Sequence, residues 1–413
     1  MKLLIYADTP TCNTGFGIVN RNIIKQLLKQ IPDIEIDVLG INERGDHHEL
    51  RHEPRVKIYP TWDGQEVHGR FKLIQFLAKD KSKAYDHVLF IHDILTLVQP
   101  IDANGDSVAS AVEKIKPFTD TKYHFYFPID VPFIGNKSWL DKIKAFDTLI
   151  PYTQFAKSQL LGANITTNEP MYHGVDTNIF KPLARPEKKR LKKELFEIDN
   201  KRTLISIIAR NQWRKDIPMS IEIFKEYKKL DPDAFLYIHS KLQDVGGDIK
   251  RYLNLWDLQE GKDYATAGNI DPQNGVSEEL LNKVYNATDL LLSSARGEGF
   301  GLPYLEALAT KTPIMTAGVS VEYELLPPMY YHFETAPLYI SSGQDALPYP
   351  RRTTINSDRV AKKIFDLLNR EDLQQIVDKA YSEVKVKFNW EIEIGKLIAI
   401  LSKPLPQSKK KQK

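Results

Sequence analysis

The stretch from Asp289 to Ala309 constrains the fold more than any other part of the chain. Its first four residues form a short, largely apolar run typical of a buried strand, and Pro303 is placed to begin a helix at its first turn. The residues in between are rich in glycine. The stretch therefore predicts a strand, a glycine loop and a helix, and that arrangement points backbone N–H groups and the positive end of a helix dipole at a ligand.

Two glutamates flank this glycine loop with seven residues between them, Glu298 before the glycines and Glu306 in the predicted helix. An ionised carboxylate accepts hydrogen bonds, so it suits the vicinal hydroxyls of a sugar better than a bare phosphate. Gly299 and Gly301 lack side chains, which lets the backbone approach such a ligand closely. The alternative is an ordinary strand-to-helix turn with both glutamates solvated.

With its paired acids, the motif resembles the E-x7-E signature of retaining GT-B glycosyltransferases, the large family 4-like group that uses sugar nucleotides. In that family the first glutamate meets the transferred sugar and the second meets the ribose. The resemblance implies those roles for Glu298 and Glu306. It also implies contacts with the donor from the residues between them, Gly299, Phe300, Gly301 and Leu302.

A second pattern of strand, glycine loop and helix opens the chain. Met1 to Ala7 is apolar, Gly15 and Gly17 lie in the loop, and apolar residues recur at helical spacing from Ile18 to Lys29. A nicotinamide-binding fingerprint would need a third glycine, which the sequence lacks. A turn that packs the first helix on the sheet is an equal alternative, whereas the resemblance implies that Gly15 and Gly17 lie over the donor phosphates.

Two cations follow another predicted strand, Arg202 to Ala209. Arg210 and Lys215 lie between this strand and a helix that begins at Met219. Cations at the carboxyl end of a strand bind a diphosphate without a metal, although salt bridges on a surface loop are the alternative. The spacing matches the Arg-x4-Lys pattern of the same family. The resemblance therefore implies that Arg210 and Lys215 bind the diphosphate and that no cofactor or metal is required.

Polar residues also follow two strands of the first half. His92 comes after the apolar run His87 to Ile91, and Asp130 comes shortly after Tyr123 to Phe127. Ligands bind at the carboxyl ends of strands in open α/β sheets, so His92 and Asp130 are candidate catalytic residues. A satisfied structural carboxylate is a fair alternative for Asp130. Members of the family commonly have a histidine after the second of these strands, and its absence leaves room for a different acceptor or acid–base arrangement.

Length and composition are those of a two-domain soluble protein. The chain has 413 residues, of which 27% are charged and 42% hydrophobic. A single cysteine, Cys12, excludes an intramolecular disulfide framework and fits a reducing compartment. The sequence has no convincing secretory signal and no apolar stretch long enough to span a bilayer, which together predict a cytoplasmic protein.

Two basic segments allow further contacts without requiring them. The tail Ser408–Lys413 is rich in lysine, and such tails attract phosphate backbones or anionic lipid, but disorder is their more usual state. The residues Arg70–Lys79 form an amphipathic basic helix that suits a membrane surface. A crossover helix that packs on a sheet is the better interpretation of this helix.

Strands and helices alternate through both halves, which predicts two doubly wound, Rossmann-like α/β domains that face each other across a cleft. Tyr172 to Pro182 looks like the inter-domain signature of the family. We therefore expect an acceptor-side domain at 1–182, to which 389–413 cross back, a hinge at 182–193, and a nucleotide-sugar-binding domain at 194–388.

These features predict a retaining glycosyltransferase that moves a sugar from a nucleotide diphosphate sugar, a UDP-sugar above all, to an acceptor hydroxyl. A glycan or glycolipid is the ordinary acceptor in the family. The opening Thr14-Gly-Phe-Gly also looks like bacteriophage glycosyltransferases, some of which modify hydroxymethylated pyrimidines in DNA. A GT-B sugar-nucleotide epimerase and a non-catalytic nucleotide-sugar binding protein are the alternatives.

Overall fold

The computed structural model divides into two compact units. Unit 1 comprises Met1–Ile129, Ile134–His173 and Trp390–Lys413, and unit 2 comprises Asp130–Phe133 and Gly174–Asn389. The basic tail 408–413 lies outside the described residues, which are 1–45, 48–62, 64, 66–78, 85–131, 137–268, 275–327, 330, 338–340, 349–351 and 356–403.

Unit 1 is built on a sheet of six parallel strands in the order β3-β2-β1-β4-β5-β6. The central strands are apolar and buried along nearly their whole length, as expected for a parallel sheet covered on both faces. The strands are β1 (Lys2–Asp8), β2 (Glu35–Ile41), β3 (Val56–Pro60), β4 (His87–Ile91), β5 (Lys122–Phe127) and β6 (Thr148–Pro151). The helices are α1 (Gly15–Gln30), α2 (Arg70–Ala78), α3 (Ile94–Val98), α4 (Val108–Ile115), α5 (Lys137–Ile143), α6 (Gln154–Gly162) and α15 (Trp390–Leu401), which packs on α1.

Unit 2 contains a sheet of five parallel strands in the order β11-β8-β7-β12-β13. Its strands are β7 (Leu204–Ile208), β8 (Phe235–His239), β11 (Tyr264–Thr266), β12 (Leu290–Ser293) and β13 (Ile314–Thr316), with two short pairs, β9 (Gln243–Asp244) with β10 (Gly247–Asp248) and β14 (Leu338–Ile340) with β15 (Tyr349–Arg351). The helices are α7 (Arg185–Phe196), α8 (Ile217–Tyr227), α9 (Ile249–Leu255), α10 (Glu278–Ala287), α11 (Leu302–Ala309), α12 (Glu322–Leu325), α13 (Ser357–Leu368) and α14 (Leu373–Lys387).

These two Rossmann-like units of parallel strands confirm the predicted α/β fold class. The two compact units divide between His173 and Gly174. The domain boundary expected at 182 stays a prediction. The expected hinge at 182–193 lies within unit 2, where helix α7 begins at Arg185. The charged composition of this segment is typical of a helix surface as well as of a linker.

The strand order of each unit reverses once, and ligands of such sheets bind where it does so. In unit 1 the reversal lies between β1 and β4, whose carboxyl ends lead to Asp8 and His92. In unit 2 it lies between β7 and β12, which lead into the loops that carry Lys215 and Glu298. Lys215 and Glu298, which are far apart in the sequence, therefore lie on loops that follow neighbouring strands.

Helix α1 begins at Gly15, three residues before the helical pattern read from the sequence. The side chain of Thr14 caps the helix, since its Oγ1 accepts a hydrogen bond from the N–H of Gly17 at 3.1 Å. Gly15 and Gly17 thus lie in the first helical turn and not in the loop. A Cβ on Gly17 would come within 2.6 Å of the Cys12 sulfur and 2.9 Å of the Thr9 carbonyl oxygen, whereas a Cβ on Gly15 would meet nothing within 4 Å.

The two glycines of this turn should respond differently to the same substitution. Gly17→Ala forces the added methyl group against backbone atoms, and overpacking of this kind costs about 1–3 kcal/mol of unfolding free energy. Gly15→Ala enters open space and should change stability by less than about 1 kcal/mol. Urea unfolding of both variants measures the difference, and equal stabilities would contradict the close packing around Gly17.

Candidate functional site

The first of two facing loops of unit 2 follows strand β7. After Ile208 the chain forms a short 3-10 turn, Trp213–Lys215, and α8 begins after Asp216, which adopts a left-handed conformation with φ of 47°. The side chain of Lys215 is 11% exposed and that of Arg214 is 22% exposed. Both cations of the turn are therefore largely withdrawn from water.

The second loop joins β12 to α11 and has the predicted form of strand, glycine loop and helix. Gly301 caps the helix with φ of 90°, and Pro303 lies in the first turn as expected. A Cβ on Gly301 would come within 2.5 Å of the Tyr304 ring and 3.3 Å of the Glu298 side chain. Glycine is required here by both the backbone conformation and the space.

The two loops meet in a cluster of four charged side chains. Lys215 donates to Glu298 Oε1 at 2.7 Å, and Arg214 donates from Nη1 to Glu298 Oε2 at 2.7 Å. Arg214 also pairs through Nε with Asp130 Oδ2 at 3.3 Å and donates to the carbonyl oxygen of Gly297 at 3.0 Å. We call Asp130, Arg214, Lys215 and Glu298 the charged cluster. Its two positive and two negative charges balance.

Burial and charge act in opposite directions on Glu298. Burial raises the pKa of this carboxyl, but the nearby Lys215 and Arg214 outweigh that effect and hold the pKa below its ordinary value. Burial, together with the Arg214 charge, lowers the pKa of Lys215 in spite of the attraction to Glu298. The cluster therefore holds an ionised carboxylate in a nearly dry environment, with its lone pairs directed at cations.

Further bonds tie the loops to each other outside the charged cluster. Arg296 pairs through Nε with Asp216 Oδ2 at 2.9 Å, and its N–H donates to the Arg214 carbonyl oxygen at 2.6 Å. Ser294 donates from Oγ to the Asp216 carbonyl oxygen at 2.6 Å. The positions of Lys215 and Glu298 are thus fixed by main-chain contacts as well as by their own ion pair.

Arg210 does not share its partner with Lys215. Its Nε pairs with Asp244 Oδ2 at 2.8 Å, and its side chain is 53% exposed. The neighbouring Asn211 is buried and donates to the carbonyl oxygens of Leu242 and Gly247, which holds this end of the loop against the β9–β10 hairpin. Arg210 and Lys215 therefore have different partners in the structure, and their shared contact with a diphosphate stays a prediction. Arg214, which sequence reasoning passed over, contacts Glu298 beside Lys215.

Glu306 lies in α11, apart from these ion pairs. It is buried, and its Oε2 accepts a hydrogen bond from the Tyr285 hydroxyl at 2.7 Å. Burial raises the pKa of Glu306 to about 7 against the lowering effect of this bond. The other predicted donor contacts of the loop, Phe300 and Leu302, are buried and half-buried respectively.

In unit 1, His92 follows β4 as predicted and is buried beneath Phe16, whose ring stacks on it with centroids 4.7 Å apart. His92 Nδ1 accepts the N–H of Asp93 at 2.8 Å and lies 2.7 Å from Thr96 Oγ1. Burial lowers the pKa of His92 to about 3. With Nδ1 occupied as an acceptor, the single proton of the neutral ring lies on Nε2, so His92 is arranged to donate a hydrogen bond and not to act as a base.

The carboxyl end of β1 holds polar residues that sequence reasoning did not single out. Asp8 is buried, accepts a hydrogen bond from the Thr14 hydroxyl and lies 3.5 Å from the Asn42 amide. Thr9 donates to Glu43, which also pairs with Arg51. The rule that directed attention to His92, a polar residue at a strand end, applies equally to Asp8.

Two kinds of feature are absent from the described residues. These residues contain no group of three or more His, Cys, Asp or Glu residues arranged to hold a metal ion. They also contain no helix whose length and apolar character would let it cross a membrane.

A family of known proteins and a viral protein each match part of the chain. Residues 188–326 match the family described as glycosyl transferases group 1. Uncharacterized glycosyltransferase 335 of Sulfolobus islandicus rod-shaped virus 1 is 24% identical over 201 residues, which are 47% of this chain and 52% of that protein. The chain thus matches about half the length of this viral relative.

Solved structures resemble the whole chain at low identity. Sucrose-phosphate synthase from Thermosynechococcus elongatus superposes with a TM-score of 0.72 at 15% identity, over 97% of each chain. HepE of Anabaena, in complex with UDP and glucose, gives a TM-score of 0.67 at 12% identity, over 98% of this chain and 99% of its own. At these identities the likeness is one of fold.

The raised pKa of Glu306 predicts a pH-dependent contribution to stability. Because the folded pKa, about 7, is higher than the ordinary value of 4.5, folding favours the protonated form, and stability falls as the pH rises from about 4.5 to about 7. Glu306→Gln keeps a neutral side chain throughout. At pH 8 it should exceed the wild type in unfolding free energy by an amount on the order of 3 kcal/mol, and near pH 4.5 the difference should vanish.

Urea unfolding at a series of pH values measures this effect. Glu279→Gln, which removes the same charge from an exposed position on α10, is the control and should follow the wild-type curve. Parallel curves for the wild type and Glu306→Gln would show that burial does not hold Glu306 protonated.

Proposed function

We propose that the chain is a retaining glycosyltransferase of the GT-B fold, because residues 188–326 match the glycosyl transferases group 1 family and the fold resembles those of sucrose-phosphate synthase and HepE. The proposed reaction moves a sugar from a nucleotide diphosphate sugar, a UDP-sugar, to an acceptor hydroxyl. The observation that carries the proposal is the charged cluster, which joins cations and a carboxylate at the point where the sheet of unit 2 reverses its strand order.

The cations of the cluster suit the departing diphosphate. Charge builds up on the diphosphate as the bond to the sugar breaks, and fixed donors in a dry site stabilise such charge at little cost in reorganisation. Lys215 and Arg214 are held in this way, and the N-terminus of α11 with the Gly299 and Gly301 amides adds a positive dipole. We propose that Arg210 joins them at the outer end of the diphosphate, and that no metal is required.

Glu298 is suited to orient the transferred sugar. Its carboxylate is ionised and accepts hydrogen bonds, so sugar hydroxyls can take the place of one of its cation partners when the diphosphate attracts that cation. Glu306 would accept hydrogen bonds from the ribose, and those bonds favour its ionised form. In this proposal the donor exchanges partners with a preformed ion network.

We propose that His92 and Asp130 act on the acceptor. His92 offers a neutral N–H donor, and Asp130 offers a carboxylate paired with Arg214. The acceptor is a glycan, a glycolipid or a hydroxymethylated pyrimidine in DNA, and the similarity to a viral protein supports including DNA in the test. We propose the cytoplasm as the site of the reaction, in keeping with the single Cys12.

A panel of nucleotide sugars tests the function, with release of free nucleotide diphosphate as the signal. Each donor is offered alone, with saccharide or lipid-linked saccharide acceptors, and with DNA containing 5-hydroxymethylpyrimidine. Acceptor-dependent release supports a transferase and identifies the acceptor class. Conversion of the donor sugar without acceptor would show an epimerase, and donor binding without turnover on any acceptor would show a binding protein.

Loss of either side of the ion pair should abolish most of the activity. Lys215→Ala removes a hydrogen-bond donor to the diphosphate. Glu298→Ala removes the carboxylate that accepts hydrogen bonds from the transferred sugar. Each should lower kcat by about 10²–10³-fold, as for other preorganised electrostatic contacts. Lys250→Ala, at an exposed position of unit 2, is the control for general effects of charge and should turn over normally. Near-normal turnover in a folded Lys215 or Glu298 variant would contradict the assignment.

Arg214 and Arg210 should differ in their effect on the pH dependence. Arg214 helps to hold the pKa of Glu298 low, so Arg214→Gln should raise that pKa and move the acidic limb of the kcat/KM profile to higher pH. Arg210→Gln should lower turnover but leave the limb in place, because Arg210 pairs with Asp244. An unmoved limb in Arg214→Gln would show that this limb does not report Glu298.

A further inference from the structure

The main chain of Glu298 is held by a side chain from another segment. Ser320 Oγ accepts the N–H of Glu298 at 3.1 Å and donates to the Glu298 carbonyl oxygen at 3.1 Å. The same N–H also donates to the Asp130 carbonyl oxygen at 3.0 Å. The hydroxyl of Ser320 thus exchanges two hydrogen bonds with one residue, as a neighbouring strand would.

Ser320 is held in turn by Glu322, the first residue of α12. Glu322 Oε2 accepts the N–H of Ser320 at 2.8 Å and the N–H of Val319 at 3.2 Å, and it lies 3.3 Å from Ser320 Oγ. Backbone N–H groups always donate, so Oε2 is an acceptor whether or not the carboxyl carries a proton. The turn 319–320 is therefore built around one carboxyl oxygen.

Glu322 occupies a costly position for an acidic residue. It is 0% exposed, and its Oε1 has no hydrogen-bond partner among the described residues. Burial of a carboxyl with one unsatisfied oxygen costs free energy. The contacts that offset this cost are the hydrogen bonds from Oε2 to the turn 319–320, and this turn contacts the main chain of Glu298.

We propose that Ser320 and Glu322 are positioning residues that fix Glu298 against the transferred sugar. The inference rests on the proposed function, because it concerns the residue that would meet the sugar. Ser320 acts on the Glu298 main chain, and Glu322 acts through Ser320. Arg214 and Lys215 hold the carboxylate at the other end of the residue.

The main chain and the carboxylate of Glu298 are held by different residues, Ser320 at the main chain and Arg214 with Lys215 at the carboxylate. Without the bonds to Ser320, the ion pairs remain and draw the carboxylate toward the cations, away from the place where it meets a sugar hydroxyl. The groups proposed for the diphosphate are not displaced. Loss of the Ser320 bonds should therefore weaken binding of the sugar and leave binding of the nucleotide diphosphate unchanged.

Calorimetric dissociation constants for UDP and for UDP-glucose, measured beside kcat, separate these effects. In Ser320→Ala and Glu322→Ala, UDP should bind within about twofold of the wild type, whereas UDP-glucose should bind about 3–10-fold more weakly and kcat should fall to a similar degree. Glu322→Gln should restore both values to within about twofold of the wild type, because its amide oxygen accepts the same two N–H groups. Glu324→Gln removes the same charge from the same helix, α12, and is the matched control.

Two results would overturn the proposal. They are wild-type values in Ser320→Ala, and a Glu322→Gln variant as impaired as Glu322→Ala. If Glu322→Ala does not fold, Ser320→Ala and Glu322→Gln decide. A wild type that binds both ligands but transfers sugar from no donor contradicts the proposed function, and the ratio of the two dissociation constants in the variants still decides the positioning role.

Discussion

The contact between Lys215 and Glu298 is the interaction on which the arrangement of the charged cluster depends. Each group is nearly removed from water, and a buried charge is tolerable when an opposite charge and hydrogen bonds replace the lost hydration. The two loops supply these replacements from Arg214 and the main chain, and Asp130, which follows β5, pairs with Arg214. Because β7 and β12 are neighbours at the reversal of the sheet, the loops begin close enough to do so.

This network also gives the site its chemical character. A carboxylate kept ionised by two cations is ready to accept hydrogen bonds, and the cations are ready to bind an anion that competes for them. A ligand with both hydroxyls and phosphates satisfies each side at once, which neither a plain phosphate nor a plain sugar does. The Ser320 and Glu322 turn adds a main-chain restraint that keeps the carboxylate from following the cations.

Sequence reasoning found the types of residue in the site more reliably than their pairings. The glycine loop, Glu298 and Lys215 were recognisable because each follows a buried strand at a spacing with a physical meaning. Arg214 was missed beside Lys215 because its partners, Glu298 and Asp130, are distant in the sequence. The partner of Arg210 was not foreseen because Asp244 lies in the β9–β10 hairpin, which also accepts hydrogen bonds from Asn211. Ser320 and Glu322 carried no signal at all, since their role arises from a turn that contacts a residue some twenty positions earlier.

The sequence by itself determined the alternation of apolar strands and amphipathic helices, and with it the α/β class, because periodicity is a local property of the chain. It also determined which loops carry acids and cations. The tertiary structure alone decided which acid pairs with which cation and that His92 offers a hydrogen-bond donor. It also decided that burial raises the pKa of Glu306 to about 7. Those outcomes depend on burial and on the order of strands in the sheet, and both are set by contacts between residues that are distant in the sequence.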